Sequence, residues 1–99
     1  MLKITKKTDN SALTLELEGR LDTVTAPQLE AEIRESINGV TELTLDLEKL
    51  DYVSSAGLRV FLSAQKIMNV NGSMKVIRVK QGIMDVFDLT GFTDILTIE

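Results

Sequence analysis

The hydrophobic period of this chain changes at a pair of adjacent serines, and that change most narrows what it can fold into. From Val40 to Leu47, apolar and polar residues alternate as in a strand with one buried face. From Leu58 to Met68, the apolar residues recur at helical spacing. The stretch Asp51-Tyr52-Val53-Ser54-Ser55-Ala56-Gly57-Leu58 must therefore carry the chain from the end of a buried strand into a helix. A helix N-terminus exposes unpaired backbone N–H groups and a partial positive charge, which suit a phosphate. A serine there is either a cap or a place where charge is added and removed.

The same logic extends along the chain. Leu2 and Ile4 predict a first strand, and Leu13, Leu15 and Leu17 a second. The turn-forming Asp9-Asn10-Ser11 between them makes an antiparallel hairpin. Thr25-Ala26-Pro27-Gln28 predicts a helix start, with Thr25 as cap and Gln28 completing a capping box. Leu29, Ile33 and Ile37 line one side of that helix, and Asn38-Gly39 stops it. Leu43, Leu45 and Leu47 mark the third strand. The next helix, if regular from Ser55, sets Ser55, Arg59 and Lys66 on an exposed basic strip with Ser63 beside it, and ends at Asn71-Gly72.

Met74, Val76, Ile77 and Val79 predict an inner fourth strand, apolar on nearly both faces. Gln81 to Leu89 reads as a short helix with Ile83, Val86 and Phe87 inward and Gly91 as its stop; Ile95 to Ile98 reads as a last short strand. This order predicts an α/β fold with about three helices joined to the sheet by right-handed crossovers. The sheet is mixed, its opening hairpin antiparallel and the remainder largely parallel. Ser54 and Ser55 then lie beyond the carboxyl end of the third strand, where open α/β sheets present functional loops.

Ninety-nine residues, 43% of them hydrophobic, predict one domain over residues 1–99. The net charge of −4 and the lack of a basic run argue against a nucleic-acid partner. The chain has no cysteine and no histidine, which removes disulfides, thiolate nucleophiles, ordinary zinc sites and a Ser-His-Asp triad. It also lacks a glycine-rich phosphate loop with its following lysine. Neither catalysis nor a metal or cofactor is expected. Met1 to Lys7 lack a signal-peptide hydrophobic region, and no apolar run approaches the roughly 20 residues that span a bilayer. The expectation is a soluble cytoplasmic protein without membrane insertion.

Four motifs in order carry a family likeness: Gly19-Arg20-Leu21-Asp22, Leu45-Asp46-Leu47, the Leu50-to-Leu58 loop, and Val86-Phe87-Asp88-Leu89-Thr90-Gly91-Phe92. Together they resemble STAS domains, specifically bacterial anti-sigma factor antagonists. The resemblance implies the same architecture and a phosphate acceptor at Ser55, two residues before Gly57, with Ser54 as the alternative. It implies a partner-facing surface at Asp22, Ser54, Ser55, Ala56, Gly57, Leu58 and Arg59. It further implies an anti-sigma factor that is also a serine kinase, and a serine phosphatase, as partners. Ser54 stands where the family often has aspartate, and Arg59 where it often has a small residue. Two other roles fit a STAS domain: a constitutive subunit of a transporter or stress-sensing complex, and a nucleotide or small-molecule sensor.

Local readings stand beside these. Ser54 is the better cap and Ser55 the better acceptor. Gly57 serves either close approach of a partner or tight packing of helix on sheet. Asp22 reads as a turn or capping aspartate, or as part of the partner-facing surface. Asp46 reads as a hydrogen-bond partner of a neighbouring loop, or as a group acting near Ser55. Asp51 reads as a solvated loop charge, and Asp85 and Asp88 as a solvated helix face.

Overall fold

The computed structural model describes residues 1–99. Strands β1 (Leu2–Asp9) and β2 (Ala12–Leu21) form the opening hairpin, turned at Asn10, whose φ is +56°. Helix α1 (Ala26–Ser36) leads to β3 (Glu42–Val53), α2 (Ser55–Asn71) to β4 (Ser73–Ile77), and α3 (Gln81–Thr90) to a short 3-10 turn at Phe92–Asp94. The sheet order is β1-β2-β3-β4, with β1 antiparallel to β2 and the other pairs parallel. The mixed sheet with three helices agrees with the sequence reading.

The alternation decides how the layers stack. Leu13, Leu15 and Leu17, then Leu43, Leu45 and Leu47, then Met74 and Val76, are buried toward the helices. They meet Leu29 and Ile33 of α1, Phe61, Ala64 and Met68 of α2, and Ile83 and Phe87 of α3 in one core. Phe87 sits edge-on to Phe61 at 6.2 Å and stacks on Phe92 at 6.5 Å, which ties α3 and the 3-10 turn to α2. The opposite face of the sheet is uncovered. A shallow groove there is lined by Lys3, Thr5, Glu16, Glu18, Asp46, Glu48 and Lys49.

The third strand is longer than its simple alternation predicts. Register shifts between Glu16 and Glu18, and between Gly19 and Arg20, each give β3 an extra residue opposite β2. Leu50 and Val53 are thereby turned back into the core, and β3 runs on to Val53. Asp51 is thus a strand residue, not a loop one, and its exposed carboxylate accepts a hydrogen bond from Lys80 Nζ at 2.6 Å.

Asp46 sits at the first of these shifts. Its carboxylate accepts from the Glu48 N–H at 3.1 Å and forms a two-point ion pair with Arg78, whose Nε lies at 3.2 Å. Arg78 follows β4 with a φ of +55°, so the pair fastens the end of β4 to the bulged strand. Asp46 therefore bonds to a neighbouring loop, as its plainer reading has it. Burial alone would raise its pKa, but the bonds from Arg78 and Glu48 outweigh that and hold it below 3.8.

A lowered carboxylate stabilises the fold above its unfolded pKa and loses that contribution as pH falls through the folded value. Asp46→Asn should cost about 1.5–3 kcal/mol at neutral pH, the scale of hydrogen bonds to charged groups. The gap to wild type should narrow below about pH 4, as Asp46 itself becomes neutral. Urea unfolding at both pH values checks this; an equal gap at both would remove the ion pair from the account.

Two expectations at the C-terminal side are corrected. β4 is an edge strand ending at Ile77, not an inner strand reaching Val79. Ile95 to Ile98 does not form a strand; only Ile98 bridges to Val76, with Val76 N–H donating to Thr97 C=O at 2.8 Å. The 3-10 turn at Phe92–Asp94 takes up the start of that segment, the Ile95 and Leu96 N–H groups both donating to Phe92 C=O at 3.0 and 2.8 Å.

Entry into β4 is constrained by a glycine. Gly72 caps α2, its N–H donating to Met68 C=O at 2.8 Å. A Cβ there would overlap the carbonyl of Thr41, the same carbonyl that accepts the Ser73 N–H at 2.9 Å.

Candidate functional site

Because β2 and β3 are parallel neighbours, their carboxyl ends emerge side by side. Leu21 pairs with Val53, and the Ser54 N–H donates to Leu21 C=O at 2.9 Å. Asp22 and Ser54 thus leave the sheet together, each opening the approach to a helix. This is the juxtaposition that the loop and the Gly19–Asp22 motif suggested, and topology alone produces it.

The two serines divide their tasks. Ser54 is the N-cap of α2, with extended backbone and its Oγ accepting the Gly57 N–H at 3.4 Å. Its carbonyl accepts the Leu58 N–H at 2.9 Å. Ser55 is the first helical residue; it is exposed, and its hydroxyl makes no hydrogen bond within the chain. Nothing in the fold depends on that hydroxyl, and the first-turn N–H groups lie around it.

Of the other residues expected to face a partner, two turn inward. Gly57 and Leu58 are buried. A Cβ on Gly57 would come within 2.7 Å of Leu21 Cγ and 3.0 Å of Val53 Cγ2, so this glycine lets helix and sheet approach closely. Tight packing, not partner access, is what the position requires. Ala56 and Arg59 face outward into a groove between the starts of α1 and α2, lined also by Thr23, Pro27, Glu30 and Val60. Val24, at the tip before α1, is 84% exposed. Beside the groove, exposed Arg59 lies one turn after Ser55, close enough for their side chains to meet.

Asp22 is committed largely to its own turn. Its Oδ1 accepts from the Val24 N–H at 3.0 Å and the Thr25 N–H at 3.1 Å, while its own N–H donates to Thr25 Oγ1 at 2.8 Å. Thr25 thus holds the N-cap position of α1 as expected, but its side chain caps no helix N–H and is spent instead on this reciprocal bonding with Asp22. Gln28 does not complete a capping box; its Nε2 reaches back to Leu2 C=O at 3.1 Å. The Thr25 N–H, with help from its hydroxyl, the Val24 N–H and nearby Arg20, holds the Asp22 carboxyl below its ordinary pKa against the opposing effect of burial.

A neighbour that the sequence reading missed is the pair of Arg20 and Tyr52. They face each other across β2 and β3, with the guanidinium carbon 4.3 Å from the ring centroid. Arg20 Nε also lies 3.7 Å from Asp22 Oδ2, so the pair braces the turn from the uncovered face of the sheet. The only signal for it was the shared strand end, invisible until the second bulge brings Arg20 opposite Tyr52.

The site offers an unbonded hydroxyl at a helix start, a nearby unpaired arginine and a shallow, half-apolar groove. It brings no acid–base pair to bear on that hydroxyl.

Comparison with known proteins places the chain. The model of the STAS domain matches residues 3–99. BtrV of Bordetella bronchiseptica, named as an anti-sigma factor antagonist, is 35% identical over 99 residues, covering 98% of this chain and 85% of its own. The crystal structure of an anti-sigma factor antagonist from Mycobacterium paratuberculosis superposes with a TM-score of 0.89 at 19% identity, over 99% of this chain and 85% of that one. Unphosphorylated SpoIIAA, another such antagonist, gives 0.83 at 20% identity, over 100% and 88%. SpoIIAA has also been solved phosphorylated, where the TM-score is 0.75 at 20% identity, over 100% and 91%. At these identities the structural likeness is one of fold.

Proposed function

This chain belongs to the STAS domain family, among relatives named as anti-sigma factor antagonists, and from that membership we propose that it is a phosphorylation-switched antagonist of this kind. Unmodified, it binds an anti-sigma factor that is also a serine kinase, and so frees a sigma factor for transcription. Phosphate on Ser55 ends that binding, and a serine phosphatase restores it. The role is regulatory and cytoplasmic, and the chain performs no chemistry itself. No helix here is long and apolar enough to cross a membrane.

The observation that carries the reading is the division of labour at the loop. Ser54 holds the helix start, while Ser55 stands exposed and free of internal bonds at its first position. A phosphate adds roughly −1.5 to −2 charge. At a helix N-terminus the fold tolerates that charge, whereas a desolvated interface does not. The surface that meets the partner is then Ser55, Ala56 and Arg59 with the rim of Asp22 and Ser54, over the buried Gly57 and Leu58.

Incubation with the cognate kinase and ATP, followed by phosphopeptide mapping, tests the reading. One phosphate should appear, on Ser55, and Ser55→Ala should abolish it while still binding the kinase. Phosphate recovered on Ser54 would shift the switch to the capping residue. An unmodified protein that neither binds nor accepts phosphate would favour a constitutive subunit role.

A further inference from the structure

Charge is unevenly distributed along this acidic chain. Between Asp51 and Asp85 there is no aspartate or glutamate, yet that stretch holds Arg59, Lys66, Lys75, Arg78 and Lys80. Three of these are paired with carboxylates from elsewhere: Lys75 with Glu99 at 3.9 Å, Arg78 with Asp46, and Lys80 with Asp51 at 2.6 Å. Arg59 and Lys66 are not, and both are exposed on α2. Glu30 lines the same groove as Arg59 but pairs with Arg34 at 3.7 Å. The other unpaired lysines, Lys3 and Lys49, sit among Glu16, Glu18, Asp46 and Glu48 on the uncovered sheet face.

Arg59 and Lys66 fall on one side of the helix with Ser55, Ser63 and Val70, along roughly 22 Å at 1.5 Å per residue. Val70, at the far end, is 84% exposed. We infer that this outer strip of α2 docks an acidic protein surface, with carboxylates opposite Arg59 and Lys66 and an apolar contact at Val70. The inference rests on the antagonist reading and names the chemistry of its partner. Charge complementarity selects the occupant. Two cations are too few to hold a nucleic acid or an anionic bilayer. Glu30 and Glu32 of α1 are already engaged by Arg34 and Lys6, the latter pair at 3.6 Å, so a second copy would have to bring other exposed carboxylates such as Glu35 or Asp88, an occupancy that would show as self-association. Phosphate on Ser55 would stand at the head of this strip and roughly cancel its two positive charges, removing the attraction without moving the helix.

The experiment compares Lys66→Glu with wild type for binding to the purified anti-sigma factor kinase. Lys66→Glu should weaken binding about tenfold and flatten its dependence on salt between about 0.05 and 0.5 M. Lys49→Glu, on the other face, should bind as wild type does, and unchanged thermal midpoints would show that both variants fold. Wild-type affinity for Lys66→Glu overturns the inference. So does a strip that instead mediates self-association or binding to phosphatidylglycerol vesicles. If Ser55→Asp still weakens binding while Lys66→Glu does not, the antagonist reading stands and only the strip falls. If wild type itself fails to bind the kinase, both fall.

Discussion

Ser55→Asp should fold as wild type does and bind the anti-sigma partner about a hundredfold more weakly, a change of about 2.7 kcal/mol. Both halves of this expectation come from the same few atoms. The Ser55 hydroxyl has no bond to lose, and Ser54 continues to cap the helix through Gly57 and Leu58. A negative charge at the first helical position is worth about 0.3–1 kcal/mol in favour of the fold. At an interface the same charge must be stripped of water, and the cost falls on association alone. Calorimetric titration of both proteins, with urea unfolding in parallel, separates the two effects. Tight binding by a well-folded Ser55→Asp would mean that charge at this position is not the signal.

Gly72→Ala should be strongly damaging for so small a substitution, costing about 3 kcal/mol. Its methyl group would occupy the space of the Thr41 carbonyl, which already accepts the Ser73 N–H and lies where β3 and β4 begin their pairing. Backbone cannot rotate away as a side chain can, so the start of β4 must shift. For a domain of this size the loss corresponds to a fall in Tm of about 15 °C. A loss below about 1 kcal/mol by urea unfolding would show that the α2–β4 turn relaxes freely.

Much of this architecture could be read from spacing. Leu13, Leu15 and Leu17, and Leu43, Leu45 and Leu47, alternate because each strand has one face on the helices and one uncovered. Helix α2 was legible from Ser55 onward, and with it the exposed strip of Ser55, Arg59 and Lys66. The misreadings have a common origin in contacts distant along the chain. Bulges reset the parity of β3, so Leu50 and Val53 fall outside the alternation that ends at Leu47 and yet continue its buried face. Thr25 was legible as the N-cap position of α1, but its side chain is claimed by reciprocal bonding with Asp22, which no spacing of cap residues reveals. Edge position is likewise a tertiary property; the apolar Ile77 and Val79 suggested an inner strand, but the residues after Asp94 supply only one bridge beside β4. Within the candidate site, helical spacing already put Leu58 on the apolar side of α2 and tight packing was one reading of Gly57; it was the family resemblance that turned both toward a partner.

The anchoring of the loop bears on how fast such a switch responds. Ser54 is bonded to Leu21 on one side and to the first turn of α2 on the other, and Gly57 lets that turn seat closely on Leu21 and Val53. A loop so fastened has no slow rearrangement to complete when Ser55 gains or loses a phosphate. Under the proposed role, the output would therefore follow the instantaneous balance of kinase and phosphatase activities, without lag or hysteresis contributed by the antagonist itself.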